Sequence, residues 1–286
     1  MRIARKCSAL VLAQALFVVG CDRATHIAAR SDSSPSRPAQ TALAAQPSHG
    51  SFGYVDSSGM ELLSLDSLRS PAEIRAAICA GGGAVAIRYD RWQARGPLDN
   101  GRQDARNFAN ESGQIFRVQG PRAPPNASCY LSPDSALVAN AVPVTVVPPG
   151  DCSSDISARL AALGSREVLH CWHIADAAPR LTIVAVQYVT IDSNALARLA
   201  IVGDSTLVFE DLPAVSNKAQ GTWRVDDGGV FSPADFDFLF VAVMPYGFVI
   251  ATDWTGAEGE SCTLDVAPAV GVFRVLDESY RYRAPL

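Results

Sequence analysis

Residues 236–254 have the sequence FDFLFVAVMPYGFVIATDW. Two apolar runs, Phe236–Met244 and 248–254, flank Pro245-Tyr246-Gly247, a pattern typical of a β-hairpin with a tight turn. In the first run, side-chain alternation predicts that Phe236, Phe238 and Phe240 share one face of the strand. Because strands in this half of the chain are apolar on both faces, we expect a second layer to cover the sheet.

The same pattern extends on both sides of this hairpin. Turn residues Gly203-Asp204-Ser205 separate two further strand segments and predict a second hairpin. We expect the strands at residues 181–191, 196–202, 207–211, 262–266, 270–276 and 279–283. Successive antiparallel strands joined by tight turns favour a sandwich or an open barrel.

Two short helices are predicted before these strands. One would begin at Ser70-Pro71-Ala72-Glu73, where the serine can cap, and would end at Gly81-Gly82-Gly83. The other would begin at Ser153 or Ser154 and run to Leu163. Strands are predicted after them, over 84–89 and 167–174. The expected fold class is therefore α+β and β-dominated, with two short helices packed on a sandwich or open barrel.

The first 21 residues have a distinct character. A basic start, Met1-Arg2-Ile3-Ala4-Arg5-Lys6, precedes an apolar run over 9–20 that has the length of a secretory signal rather than of a membrane span. It ends in Val18-Val19-Gly20-Cys21, which resembles the lipobox of bacterial lipoproteins. The resemblance implies cleavage before Cys21, a diacylglyceryl thioether on its thiol and acylation of the new amino terminus. An ordinary signal peptide or an uncleaved anchor is the alternative.

The resemblance suggests how the chain is divided. Residues 1–20 would be the signal peptide, and residues 21–50, rich in Pro, Ser and Ala, a disordered tether after the lipidated Cys21. Residues 51–286 would form the β-rich globular domain, with 51–150 and 151–286 as two possible subdomains. The lipid would attach the protein to a bacterial membrane, facing the periplasm or the exterior.

The charge balance limits the choice of partner. The formal net charge is −5, and loss of the signal peptide, which carries three basic residues, makes it −8. An acidic domain of this kind is a poor nucleic-acid binder, because neutralising phosphates requires clustered Lys and Arg. Lys218 is the only lysine outside the signal peptide, so any lysine-dependent mechanism would have to use it.

Five cysteines remain after Cys7 and Cys21 are set aside, and in an oxidising compartment we expect disulfides among them. Sequence alone leaves fifteen ways of choosing two bridges. The preferred pairing is Cys152 with Cys171, and Cys79 with Cys129. Cys262 is then the cysteine without a disulfide partner.

Motifs that would carry chemistry are weak. His170 and His173 lie on a predicted strand and would face opposite sides, so a joint metal site is not expected. The acidic group Asp226, Asp227, Asp235 and Asp237 is a weak calcium candidate without the EF-hand spacing. No Gly-x-Ser-x-Gly motif occurs, Gly81–Gly83 lack a phosphate-loop ending, and no cofactor is predicted.

Aromatic residues near turns and strand ends form the last candidate group: Trp223, Phe231, Tyr246, Trp254, Tyr280 and Tyr282. Such residues can stack on sugars or contact the loops of a partner protein, although packing in the core is their commoner role. The sequence favours a non-enzymatic envelope lipoprotein that presents a binding domain to a protein, glycan or small ligand. The alternatives are an envelope hydrolase acting on cell-wall or glycan substrates through carboxylates, with His170 or His173 assisting, and a structural subunit of an envelope assembly.

Overall fold

A computed structural model describes residues 49–80, 83–163, 166–177, 180–217, 221–223, 231–256 and 258–283. The predicted signal peptide and nearly all of the predicted tether therefore lie outside the described residues. The described part belongs to one compact unit, Leu43–Leu286.

The first six strands form a closed antiparallel barrel, in the order β1-β2-β5-β4-β3-β6. They are β1 (Ser51–Val55), β2 (Glu61–Ser64), β3 (Ala76–Cys79), β4 (Gly83–Gln93), β5 (Gly113–Gln119) and β6 (Ser128–Ser132). Helix α1 (Ser135–Asn140) follows, and the Asp134 side chain caps it by accepting hydrogen bonds from the Ala136 and Leu137 amides.

Two sheets are built from the rest of the chain. The remaining elements are β7 (Ala141–Val142), β8 (Val144–Asp151), α2 (Ser154–Leu163), β9 (Val168–Ala177), β10 (Leu181–Tyr188), β11 (Asn194–Val202), β12 (Leu207–Asn217), β13 (Gly221–Trp223), β14 (Phe236–Met244), β15 (Gly247–Thr255), β16 (Gly259–Ala267), β17 (Val270–Val272) and β18 (Arg274–Tyr282). The seven-stranded sheet has the order β13-β12-β11-β10-β9-β8, with β17 added parallel to β12. The five-stranded sheet has the order β18-β16-β15-β14-β7.

The five-stranded sheet is buried on both faces, as its apolar sequence predicts. Phe238 and Ile250 pack against the inner face of the seven-stranded sheet, in one core cluster with Ile183 and Ile201. The opposite face packs on the barrel through a second core cluster. The outer face of the seven-stranded sheet is covered by α2 through Leu160, which is fully buried.

The predicted fold class is confirmed: the protein is β-dominated α+β, and the described residues include two short α-helices. Both expected architectures occur together, a sandwich and a barrel, and the barrel is closed rather than open. Helix α2 lies where the sequence predicts it, and both predicted hairpins form, between β11 and β12 and between β14 and β15.

The helix predicted from Ser70 to the glycines is wrong. Pro71–Glu73 make only one 3₁₀ turn, and Ala76–Cys79 form β3, which pairs with β4 and β6 to close the barrel. Ala77 and Ile78 are both fully buried on opposite faces, one inside the barrel and the other against the five-stranded sheet. Burial of successive residues favours a strand, so tertiary contacts override the local capping pattern.

The prediction that Phe236, Phe238 and Phe240 share a face is also wrong. The register of β14 against β15 shifts between Phe238 and Phe240, as in a β-bulge. Beyond this shift the alternation is inverted. Phe236 and Phe238 therefore face the seven-stranded sheet, whereas Phe240 faces the barrel.

Candidate functional site

The sandwich opens into a groove beside the middle of β12. β17 pairs with residues 207–209 of this strand and β13 with residues 215–217. β11 pairs with the other edge of β12 throughout this region. On the edge that β17 and β13 share, none of the described strands pairs with the intervening segment of Glu210, Asp211, Leu212 and Pro213. This segment forms one wall of a groove with a volume of about 490 Å³. We call this cavity the intersheet groove.

The five-stranded sheet forms the opposite wall. Thr252 pairs with Thr263 and Trp254 with Ser261 between β15 and β16, and all four line the groove. β18 adds Glu278 opposite Thr263 and Tyr280 opposite Ser261. Directly opposed residues on neighbouring strands project to the same side, so the register alone places hydroxyls, aromatic rings and a carboxylate on one face.

Trp254 and Tyr280 contribute aromatic rings to this wall, beside the apolar side chains of Phe236 and Val275. The ring of Trp254 stacks on Phe236 with a centroid distance of 5.1 Å and an interplanar angle of 16°. This contact holds the indole in place while leaving part of it open to the groove. The Tyr280 side chain is 43% exposed.

A hydrogen-bonded chain runs along the base of this wall. The hydroxyls of Thr252 and Thr263 are 2.8 Å apart, and Thr263 Oγ1 donates to Asp265 Oδ2 at 2.7 Å. Asp265 is 1% exposed, and its second oxygen, Oδ1, has no hydrogen-bond partner among the described residues. Burial raises the pKa of the Asp265 carboxyl to about 6.

Glu210 is the carboxylate of the β12 wall. It alternates with Val208 and Leu212, which belong to the core between the sheets, so its side chain points inward from an otherwise apolar face. Burial raises the pKa of Glu210 to about 7, and the negative charges of Asp265 and Asp211 add to the rise. Carboxyl groups from both sheets therefore influence each other at this groove.

The charge of the groove has one sign. Of the described residues that line it, Glu210, Asp211 and Glu278 are acidic and none is basic. Asp211 is partly neutralised, because Arg198 Nε donates to Asp211 Oδ1 at 2.7 Å. The groove combines partly exposed aromatic rings, hydroxyls and unneutralised carboxyl groups, which suits the binding of a small polar molecule.

A second polar cluster lies between the five-stranded sheet and the barrel. Arg281, 1% exposed, donates to Ser128 Oγ and to the Asn126 backbone and side-chain oxygens at distances between 2.7 and 3.0 Å. It also forms an ion pair with Glu260 at 3.4 Å, and Arg283 contacts the other oxygen of that carboxylate. These contacts are buried and join the five-stranded sheet to the barrel, so we assign the cluster a structural role.

The predicted disulfides are both present, Cys79–Cys129 and Cys152–Cys171, and Cys262 is a free, buried thiol. Cys79 lies directly opposite Cys129 on neighbouring barrel strands. Cys152 precedes α2 and is bonded to β9, as expected from the positions of the two residues in the sequence.

The structure describes only two of the four weak calcium candidates. Asp226 and Asp227 lie outside the described residues. Asp235 ends a 3₁₀ turn, and the Asp237 carboxylate accepts a hydrogen bond from the Phe238 amide. In the described ranges, no three His, Cys, Asp or Glu side chains are grouped closely enough to hold a metal ion.

The two histidines of β9 have separate local contacts. His170 stacks on Trp172 with a centroid distance of 5.1 Å. His173 Nε2 is 2.9 Å from Asp176 Oδ1. Neither lines the intersheet groove.

The predicted aromatic group divides between the groove and the core. Trp254 and Tyr280 line the groove, Phe231 packs between Trp172 and Phe236, and Tyr246 packs on the core between sheet and barrel. Tyr282 ends β18, and Trp223 lies on β13, with a side chain outside the described set.

The residues missed by sequence reasoning are Glu210, Asp265 and the threonine pair. One available indication was the sequence Val208-Phe209-Glu210-Asp211-Leu212, in which a charged residue takes an inward position between two apolar ones.

Comparisons with known proteins leave the site to be interpreted from its own geometry. No family model matches the chain, no curated protein matches its sequence, and no solved structure matches its fold. No helix in the described part of the chain is long and apolar enough to cross a membrane.

Proposed function

We propose that this protein is a lipid-anchored component of a bacterial cell envelope, and that its β-rich domain binds a small ligand in the intersheet groove. The anchor part of the proposal rests on Cys21 and the lipobox-like residues before it. The binding part rests on the groove.

One observation carries the binding proposal: a groove of about 490 Å³ presents aromatic rings and hydrogen-bonding groups from two different sheets. Its volume lies within the range of small-molecule sites, and such sites combine apolar walls with a few placed polar groups. The Trp254 ring is held by stacking on Phe236, so the apolar surface is preorganised for a ligand.

The test is a binding screen with a matched pair of variants. The full chain, solubilised in detergent, is presented with muropeptides, hexoses, dipeptides and alkylammonium salts, and binding is followed by calorimetry. Ser261→Trp fills the groove, whereas Leu98→Trp adds the same side chain at a position that is 77% exposed on the barrel. We expect at least one class of compound to bind the native and Leu98→Trp proteins. The affinity of that class for the Ser261→Trp protein should be at least tenfold lower. Binding that both variants retain would place the ligand elsewhere, and no binding by any class would refute the proposal.

A hydrolase acting on cell-wall or glycan substrates is the second candidate. The observation that favours it is the pair Glu210 and Asp265, two carboxyl groups from different sheets. With a pKa raised to about 7, Glu210 keeps a protonated fraction near neutral pH that could act as the acid, whereas Asp265, with a pKa of about 6, is mostly ionised there. Release of soluble fragments from peptidoglycan, abolished by Glu210→Gln, would support this function. Absence of turnover by a protein that binds the same glycan would exclude it.

A further inference from the structure

Glu210 and Asp265 differ from three other carboxylates of this protein that are at least partly buried. Glu61 pairs with Arg91, Glu260 with Arg281 and Arg283, and Asp211, which also lines the groove, with Arg198. An arginine therefore neutralises each of these three carboxylates. The charges that act on Glu210 and Asp265 are instead negative.

The free oxygen of Asp265 is the second observation. Asp265 is 1% exposed, and its Oδ1 has no hydrogen-bond partner in the part of the chain that is described. A buried carboxylate oxygen without a donor is costly, and the cost falls when a donor or a positive charge arrives. Asp265 shares the inward face of β16 with Thr263, which lines the groove, so this cost is concentrated beside the candidate site.

We infer that the intersheet groove binds an organic cation, with its ammonium group near Glu210, on the side of the groove where Asp265 is buried, and its apolar part against Trp254 and Tyr280. This inference rests on the proposed function and names the ligand class. An ammonium group can donate hydrogen bonds to carboxylate oxygens, and aromatic faces attract cations within about 6 Å of the ring centroid. An anionic ligand would meet Glu210, Asp211 and Glu278 without a basic residue to receive it.

Binding of a cation would be coupled to the ionisation of Glu210. Its pKa is raised to about 7, and the charges that face it are Asp211 on its own strand, Asp265 on β16 and, on the groove wall, Glu278 on β18. A bound ammonium group favours the ionised carboxylate, so binding releases a proton when the pH lies near or below this pKa. Affinity for the cation therefore rises between about pH 6 and about pH 8.

The test uses three probes of similar shape that differ in charge: 3-phenylpropylammonium, 3-phenylpropanol and 3-phenylpropionate. Calorimetry on the detergent-solubilised full chain is expected to show the cation binding at least tenfold more tightly than the alcohol, with the carboxylate weakest. Glu210→Gln is expected to weaken the cation about tenfold, to leave the alcohol within twofold and to flatten the pH dependence. Glu73→Gln, an exposed position on the 3₁₀ turn, is the matched control and should change none of these affinities.

The outcomes separate this inference from the proposed function. Equal binding of the three probes, or preference for the alcohol or the carboxylate, overturns the cation inference but leaves a groove that binds ligands. An unchanged cation affinity in Glu210→Gln also overturns it. If no probe binds at millimolar concentration, the cation inference fails, and the broader screen with Ser261→Trp then decides whether ligand binding fails with it.

Discussion

Arg281 Nη1 donates a hydrogen bond to Ser128 Oγ at 2.9 Å and thereby joins β18 of the five-stranded sheet to β6 of the barrel. The guanidinium also lies over the Tyr54 ring, 4.6 Å from its centroid. The Arg281 side chain is almost completely buried. This connection links β18, the strand on which Glu278 and Tyr280 lie, to the barrel.

Arg281→Met is therefore expected to lower the free energy of unfolding by about 3–5 kcal/mol, because it leaves the buried Glu260 without one of its cations. Urea denaturation followed by tryptophan fluorescence measures the change. Arg274→Met, at an exposed position on the same strand, should stay within about 0.5 kcal/mol of the native protein. Equal effects of the two substitutions would show that the cluster does not hold sheet and barrel together.

The two disulfides should contribute unequally to stability. Cys79–Cys129 closes a separation of 50 residues and Cys152–Cys171 one of 19. On the chain-entropy model these loops correspond to about 4 and about 3 kcal/mol. The double variant Cys79→Ser/Cys129→Ser should therefore unfold at lower urea concentration than Cys152→Ser/Cys171→Ser. The reverse order would mean that native-state effects outweigh loop closure.

Stability is expected to fall as the pH rises from about 4 to about 7. Burial, helped by the negative charge of Glu260, raises the pKa of Asp253 to about 7, whereas an unfolded aspartate titrates near about 3.9. The folded state therefore binds more protons in this window, and the stabilisation present below the unfolded pKa is lost as the pH approaches the folded one. Asp253→Asn, which cannot ionise, should flatten the profile in urea titrations at successive pH values. A native protein that gains stability from pH 5 to pH 8 would contradict the assignment.

Lipidation depends on a single thiol. Cys21→Ser should abolish the thioether, so the protein should accumulate as unprocessed precursor instead of appearing as the processed, acylated form in the detergent phase. Membrane fractionation and mass spectrometry of the amino terminus measure both effects. Cys262→Ser is a control that also removes a thiol, but from the buried interface between sheet and barrel. Unchanged processing of Cys21→Ser would refute the lipoprotein assignment.

The sequence predicts most of the strands because their alternation and turn residues are local properties. Gly203-Asp204-Ser205 lie in one hairpin turn and Pro245-Tyr246 form the other, with Gly247 beginning β15, for this reason. The segment after Ser70 has good local capping but forms a barrel strand, since Ala77 and Ile78 are buried on opposite faces. Closure of the barrel depends on residues distant in sequence, and no local pattern contains that information.

Only some of the residues that form the groove could be predicted from the sequence. Trp254 and Tyr280 stood out as aromatic residues near strand ends, a property that the sequence displays. Glu210 and Asp265 did not, because their importance depends on two sheets packing face to face and bringing residues that are 55 positions apart to one groove. The bulge in β14 shows the same limit, since one inserted residue inverts the faces of all those beyond it.

Hydrogen–deuterium exchange on the full chain, with and without saturating 3-phenylpropylammonium, reports where the ligand binds and therefore shows whether the intersheet groove is the binding site. We expect added protection in residues 207–217 of β12 and in β16 and β18, with the barrel strands unchanged. Protection confined to the barrel or to α2, or no change at a concentration where calorimetry detects binding, would contradict the assignment of the groove as the binding site.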